Sequence, residues 1–242
     1  MAIEVFNRQE LKFVITKAQY MSMLPEITRH MRLDIHNNQG QAYRLYNLYI
    51  DTEDRALIRH STTKPVVYKE KLRLRSYRPF HEGEVVFFEV KKRYKRITNK
   101  RRTKMLYEDA IRFIATPTQC PQHSYMNKQV VDELGVILQR ERYQPQAYIS
   151  YDRVAYHDKD KTSDLRVTFD KNIISQPYGG TEKFDLLGDN QLIMEVKSTA
   201  NMPLWLSHML NEHAIYKQSF SKYGREHIRD VARHINKEVH YA

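Results

Sequence analysis

Lys69, Lys71, Arg73 and Arg75 alternate along one short segment, with Leu72 and Leu74 between the later members. In a strand, residues i and i+2 share a face, so this spacing sets four cations in one row. Glu89, Lys91 and Arg93 make a second row opposite Phe88 and Val90. Lys100, Arg102 and Lys104 make a third, Arg8, Glu10 and Lys12 a fourth, and Glu195 with Lys197 a fifth. Alternation alone also fits the solvated faces of a half-buried sheet. Two features count against that: four same-face cations repel one another without an anion, and in three rows a carboxylate stands two residues before a lysine. Such rows on the inside of a sheet closed into a barrel would line a cationic tunnel. Several charge-assisted bonds there could match a triphosphate, whose charge is about −4. The carboxylates suit Mg²⁺ or Mn²⁺, which take hard oxygen ligands, commonly one or two carboxylates plus phosphate oxygens. Glu195 is the first candidate ligand, with Glu10 and Glu89 behind it. Each glutamate fits equally well as a cross-strand partner of a neighbouring cation.

The elements that must hold these rows follow from periodicity. A strand is expected over Asn7–Ile15, then a helix capped by Thr16 and running to about Met31. A strand at Tyr43–Asp51 precedes a short helix capped by Thr52. Val66–Tyr77, Val85–Tyr94 and Ile97–Met105 read as an antiparallel meander. Helices are expected at Tyr107–Ala115 and Tyr125–Gln139, and strands at Gln146–His157, Leu165–Asp170 and Gln191–Thr199. A short strand fits Phe184–Leu186, and helices fit Pro203–Asn211 and Ser219–Ile235. No Pro/Gly/Ser-rich linker divides the chain, so residues 1–242 read as one α+β domain.

Composition narrows the function classes. The 242 residues carry a net charge of +11, which points to an anionic partner. With 41% hydrophobic residues the chain can build a core, and one cysteine excludes a disulfide framework. The seven glycines form neither GxGxxG nor GxxxxGK[ST], so phosphate would have to be held by side chains. The longest apolar runs, such as Val85-Val86-Phe87-Phe88, are far too short to span a bilayer, and the first residues show no signal-peptide core. A soluble, cytoplasmic protein is therefore expected. The 17 tyrosines are spread along the chain without a recognition-helix or RNP-like motif, so no nucleic-acid partner is expected.

Taken in order, several segments resemble the VTC domain, named after the vacuolar transporter chaperone complex, within the triphosphate tunnel metalloenzyme (CYTH-like) superfamily. They are Arg8-Gln9-Glu10-Leu11-Lys12-Phe13, Leu48-Tyr49-Ile50-Asp51-Thr52, Lys69 to Tyr77, Phe88-Glu89-Val90-Lys91 and Lys100-Arg101-Arg102. Tyr151-Asp152-Arg153, Leu165 to Asp170, Glu195-Val196-Lys197 and Phe220-Ser221-Lys222-Tyr223 follow. The resemblance implies a closed antiparallel β-barrel with helices packed outside. It implies a polyphosphate polymerase that moves the γ-phosphate of ATP onto a growing polyphosphate chain, with Mn²⁺ or Mg²⁺ as cofactor. By position it assigns Lys12, Lys91, Lys100, Arg102, Arg153 and Arg166 to the phosphate path, with Tyr151 and Ser221 beside it. Arg73, Arg75, Lys197 and Lys222 fall at the transferring phosphate, Glu195 at the metal, and Glu10 and Asp170 at less definite places. Coupling to translocation would require a separate membrane protein partner. The same architecture serves triphosphatases, and a catalytically silent polyphosphate-binding subunit is a further alternative.

Overall fold

The computed structural model describes residues 5–6, 9–37, 41–63, 66–95 and 97–240; Arg8 lies outside them. The strands are β1 (Val5–Phe6), β2 (Gln9–Thr16), β3 (Met31–Leu33), β4 (Tyr43–Thr52), β5 (Tyr68–Ser76), β6 (Val85–Tyr94), β7 (Ile97–Leu106), β8 (Tyr143–Asp158), β9 (Arg166–Pro177), β10 (Phe184–Asp185) and β11 (Gln191–Ser198). The helices are α1 (Lys17–His30), α2 (Ala56–Thr63), α3 (Tyr107–Ala115), α4 (Lys128–Leu138), α5 (Leu204–Glu212) and α6 (Lys222–His240). All ladders are antiparallel and join one sheet of order β1-β7-β6-β5-β4-β8-β9-β11-β2, with β3 paired to β8 and β10 to β9.

The closed barrel expected from the sequence does not form. The ladders run as an open path from β1 at one edge to β2 at the other, and none joins those two among the described residues. The reason is local. β1 pairs with β7 over only Val5↔Asn99 and Phe6↔Thr98, while β2 pairs with β11 and also accepts, at Lys12 O, from Gln218 N at 2.9 Å. The sheet is instead curled, and side chains span its seam: Lys91 Nζ on β6 lies 2.8 Å from Glu10 Oε2 on β2.

Strand alternation sorts the side chains onto two faces. On the outer face, Leu48, Leu72, Leu74, Phe88 and Val90 are buried against Phe113 of α3 and Leu134 of α4. Phe13, Val167, Phe169 and Met194 are buried against Met23 and Ile27 of α1 and Leu206 of α5. The charged rows occupy the concave face. One end of the concavity is filled by Tyr49, Ile149, Tyr151 and Ile193 with Ile58 of α2 and Phe220 and Tyr223. Burial of both faces is unusual for an antiparallel sheet, in which one side is commonly solvated.

Helix starts follow their caps. Thr16 Oγ1 accepts from Gln19 N at 3.1 Å and Gln19 Oε1 accepts from Thr16 N at 2.9 Å, a reciprocal capping box for α1. At α2, Thr52 Oγ1 accepts from Ala56 N and Asp51 accepts from Leu57 N and Ile58 N. The Tyr223 hydroxyl donates to Asp51 at 3.2 Å, which ties α6 to the same turn.

Candidate active site

The concave face gathers its charges around three carboxylate centres. At the first, the Glu89 carboxylate accepts from Arg73 Nε at 2.8 Å and Lys100 Nζ at 2.6 Å, with Arg73 Nη2 at 2.7 Å and Arg75 Nη1 at 3.9 Å. Burial would raise the Glu89 pKa, but Arg75, Arg73 and Lys100 hold it well below the usual carboxylate range. Glu89 is thus held as a counter-ion by Arg73 and Lys100.

The second centre sets Glu10 and Glu195 about a shared cation, Lys12. Lys12 Nζ is 3.2 Å from Glu10 and 3.9 Å from Glu195, and Lys197 Nζ is 3.2 Å from Glu195. Against the penalty of burial, Lys197, Glu10, Lys12 and Arg153 lower the Glu195 pKa well below its ordinary value. Directly across the ladder from Glu195 stands Thr168, whose buried hydroxyl has no hydrogen-bond partner among the described residues. The carboxyls of Glu10 and Glu195 and the unsatisfied Thr168 hydroxyl are a hard-oxygen donor set that fits Mg²⁺ or Mn²⁺ when phosphate oxygens complete the shell. Among the described residues no group of three or more His, Cys, Asp and Glu side chains is placed to hold a metal without such help.

The third centre is Asp170. Arg153 donates to it twice, at 2.6 and 2.8 Å, and Lys222 donates at 2.5 Å. Burial opposes its charge, but Arg153 and Lys222 bring its pKa down to about 2. Lys222 Nζ also lies 4.2 Å from the centre of the Tyr151 ring. The Tyr151 hydroxyl accepts from Arg75 at 3.3 Å. Despite burial, Arg75, Arg153 and Lys222 lower the Tyr151 pKa to about 8. Arg153, 3.8 Å from Glu195, links this centre to the second, and Arg75 links it to the first.

Sequence at the start of α6 brings its first residues into this array. Ser221 Oγ accepts from Gly224 N at 3.0 Å, capping the helix, and from Lys71 Nζ at 2.8 Å. A Cβ on Gly224 would meet Ser221 Cβ at 3.1 Å and Oγ at 3.2 Å, so glycine leaves the room this cap uses. Lys12 Nζ donates to Phe220 O at 3.1 Å, joining β2 to the same turn.

Lys12, Arg73, Arg75, Lys91, Lys100, Tyr151, Arg153, Lys197, Ser221, Lys222, Glu10, Glu89 and Glu195 are therefore brought together. Arg102 and Arg166 are not. Arg102 is exposed and stacks on the Phe87 ring at 4.6 Å, although Glu89 is its register partner. Arg166 faces Lys197 across the ladder, but its guanidinium donates to Asp34 at 2.9 Å, which also holds His157. Lys71, Asn47, Thr168 and Asp34 belong to the array or its rim without having been assigned roles from the sequence. Lys71 was visible in the first cationic row, and Asn47, two residues before Tyr49, shares its face. Neither Asp34 nor Thr168 carries a sequence signal beyond alternation.

The described helices include none long and apolar enough to cross a membrane. A curled antiparallel sheet with helices on its outer face and cation–carboxylate centres on its concave face defines an anion-binding class of protein. The VTC domain family matches over residues 7–227, and the chain belongs to that family. No curated protein matches the chain in sequence. A solved structure described as a "putative adenylate cyclase" from Bacillus halodurans is 14% identical, with a TM-score of 0.54, covering 90% of this chain and 96% of its own. That likeness bears on the fold alone. A similarly described protein from Vibrio parahaemolyticus is 12% identical at a TM-score of 0.46, covering 90% of this chain and 96% of its own.

Proposed function

We propose that this protein is a metal-dependent polyphosphate polymerase that uses ATP. The observation carrying this reading is the imbalance of charge on the concave face. Lys12, Lys71, Arg73, Arg75, Lys91, Lys100, Arg153, Lys197 and Lys222 surround only Glu10, Glu89, Asp170 and Glu195. An excess of mostly half-buried cations calls for a polyanion, and membership of the VTC family supports polyphosphate as that polyanion.

In the proposed step, a terminal oxygen of the acceptor phosphate attacks the γ-phosphorus of ATP. The bond from γ-phosphorus to the β–γ bridging oxygen breaks and ADP departs with the electron pair. The acceptor oxygen is already ionised near neutral pH, so no strong general base is required. Catalysis is then positioning and neutralisation of charge on the transferring group. Arg73, Arg75 and Lys222 supply donors there, while Lys12, Lys91 and Lys197 hold the neighbouring phosphates. Glu10 and Glu195, with the Thr168 hydroxyl on the same face, would hold Mn²⁺ or Mg²⁺, which would supply neutralisation of phosphate charge.

Incubation of the protein with ATP and Mn²⁺, followed by phosphorus NMR, tests this. Internal-phosphate signals should grow in step with ADP. The Glu195→Gln variant should lose turnover while still binding polyphosphate. Free phosphate without chains would make the protein a triphosphatase instead. Tight polyphosphate binding without turnover would make it a silent binding subunit.

A further inference from the structure

One rim of the concave face carries aromatic rings that phosphate binding leaves unused. Tyr43, Tyr77 and His36 lie with centroids 6.1 to 6.3 Å apart, and Phe87 lies 6.2 Å from Tyr77. Tyr77 is 48% exposed although three rings surround it, so part of its face stays open to a ligand. These rings adjoin the phosphate-binding cations. Tyr77 follows Arg75 by two residues, Phe87 is the register partner of Arg75, and Tyr43 is the register partner of Arg153. Two residues along a strand span about 7 Å, so the rings stand one strand repeat outward from cations of the concave face. Arg102, displaced from Glu89 onto the Phe87 ring, adds a cation at the same rim.

We infer that the rim formed by Tyr43, Tyr77, His36 and Phe87 is a nucleobase platform, on which the base of a nucleoside triphosphate stacks while its phosphates enter the cationic concavity. The inference rests on the proposal that the concavity takes a triphosphate. Stacking on aromatic faces tolerates any base, because every base has a π-face. The platform therefore favours nucleoside triphosphates over inorganic tripolyphosphate without choosing strongly between adenine and guanine. Arg166 and His157, held by Asp34 beside the rim, leave that choice to ring area rather than to hydrogen bonds.

Calorimetric dissociation constants for ATP, GTP and inorganic tripolyphosphate, at one fixed salt concentration, test the platform. Tyr77→Ala should weaken ATP and GTP by on the order of 10-fold, the usual loss for one stacking ring, and leave tripolyphosphate unchanged. Tyr77→Phe, which keeps the ring, should bind all three like the parent protein. Equal losses for ATP and tripolyphosphate, or none for either, would overturn the platform while leaving the phosphate site standing. Failure of the parent protein to bind either ATP or tripolyphosphate would overturn the triphosphate reading, and the platform with it.

Discussion

Lys71 sits on the concave face with a serine hydroxyl as its hydrogen-bond partner and cations on several sides. Burial, with Lys12, Lys91, Arg73 and Lys69 near it, lowers its pKa to about 7. At Lys100, burial and the charges of Arg73 and Arg75 outweigh Glu89 and again give about 7. Both lysines are charged below that value and lose the proton above it. A bound polyanion favours the charged form, so binding raises both pKa values and takes up protons. Tripolyphosphate should therefore bind more tightly at pH 6 than at pH 8. Calorimetry near pH 7.5 in buffers of different ionisation enthalpy should show net proton uptake; proton release would remove these lysines from the contact. The cationic rows were legible because alternation fixes a face and like charges on one face are informative. Partner choice was not legible. Glu89 and Glu195 stand in the same Glu-x-Lys pattern, yet Glu89 is held by Arg73 and Lys100 while Glu195 lies nearest Lys197 on its own strand. Long side chains can reach several neighbours, and the curl of the sheet decides among them.

At the scale of elements, α6 is the piece that completes the site, since its first turn delivers Ser221 and Lys222 to residues on β5 and β9. Alanine in place of a helical glycine ordinarily stabilises by about 1 kcal/mol. At Gly224 the added Cβ would press on Ser221, so Gly224→Ala should show little or no gain in thermal melting. It should also bind tripolyphosphate several-fold more weakly. A clear rise in melting temperature with unchanged binding would show that Ser221 moves aside freely. Arg55 anchors the same helix through Glu226 at 2.8 Å and Asp230 at 3.3 Å. Removing one partner of a buried pair costs about 3–5 kcal/mol. Arg55→Ala, leaving the fully buried Glu226 carboxyl without its closest cation, should lower the urea midpoint accordingly. Most elements were legible from period and caps: Thr16, Thr52 and the β5–β6–β7 meander fall where alternation and capping put them. The strand expected to stop at Asp170 continues to Pro177, because Asn172 adopts a positive φ of 51° beside a register shift in the β8–β9 ladder. Asp170-Lys171-Asn172 looks like a turn in sequence, and a bulge uses the same residues without ending the strand. Closure of the sheet was misread for a related reason: charge rows show which face is lined, but say nothing about whether the two edge strands meet.

The whole molecule stores unfavourable charge in its ligand-free state, and a polyanion relieves it. A ligand present at 100 times its dissociation constant adds about 2.7 kcal/mol to stability. For a chain of this length that is a rise of about 5–10 °C in melting temperature. Tripolyphosphate should produce a shift of that size at low ionic strength, and a smaller one in 0.5 M NaCl as screening weakens the attraction. Chloride at the same ionic strength, without tripolyphosphate, should give almost none; an equal shift would mean the stabilisation is nonspecific. The ladder between β2 and β11 has a consequence during synthesis. Thr16 pairs with Gln191 and Gln9 with Ser198, so among the described residues the first long strand finds its ladder partner some 180 residues downstream. At ribosomal rates of about 5–20 residues per second, β2 waits roughly 10–35 s for that partner to be made. Throughout that interval an amphipathic strand carrying Leu11, Phe13 and Ile15 is an unpaired edge. Glu10 and Lys12, alternating with those apolar residues, put charge on the strand while it waits, and the same two side chains later become part of the phosphate site.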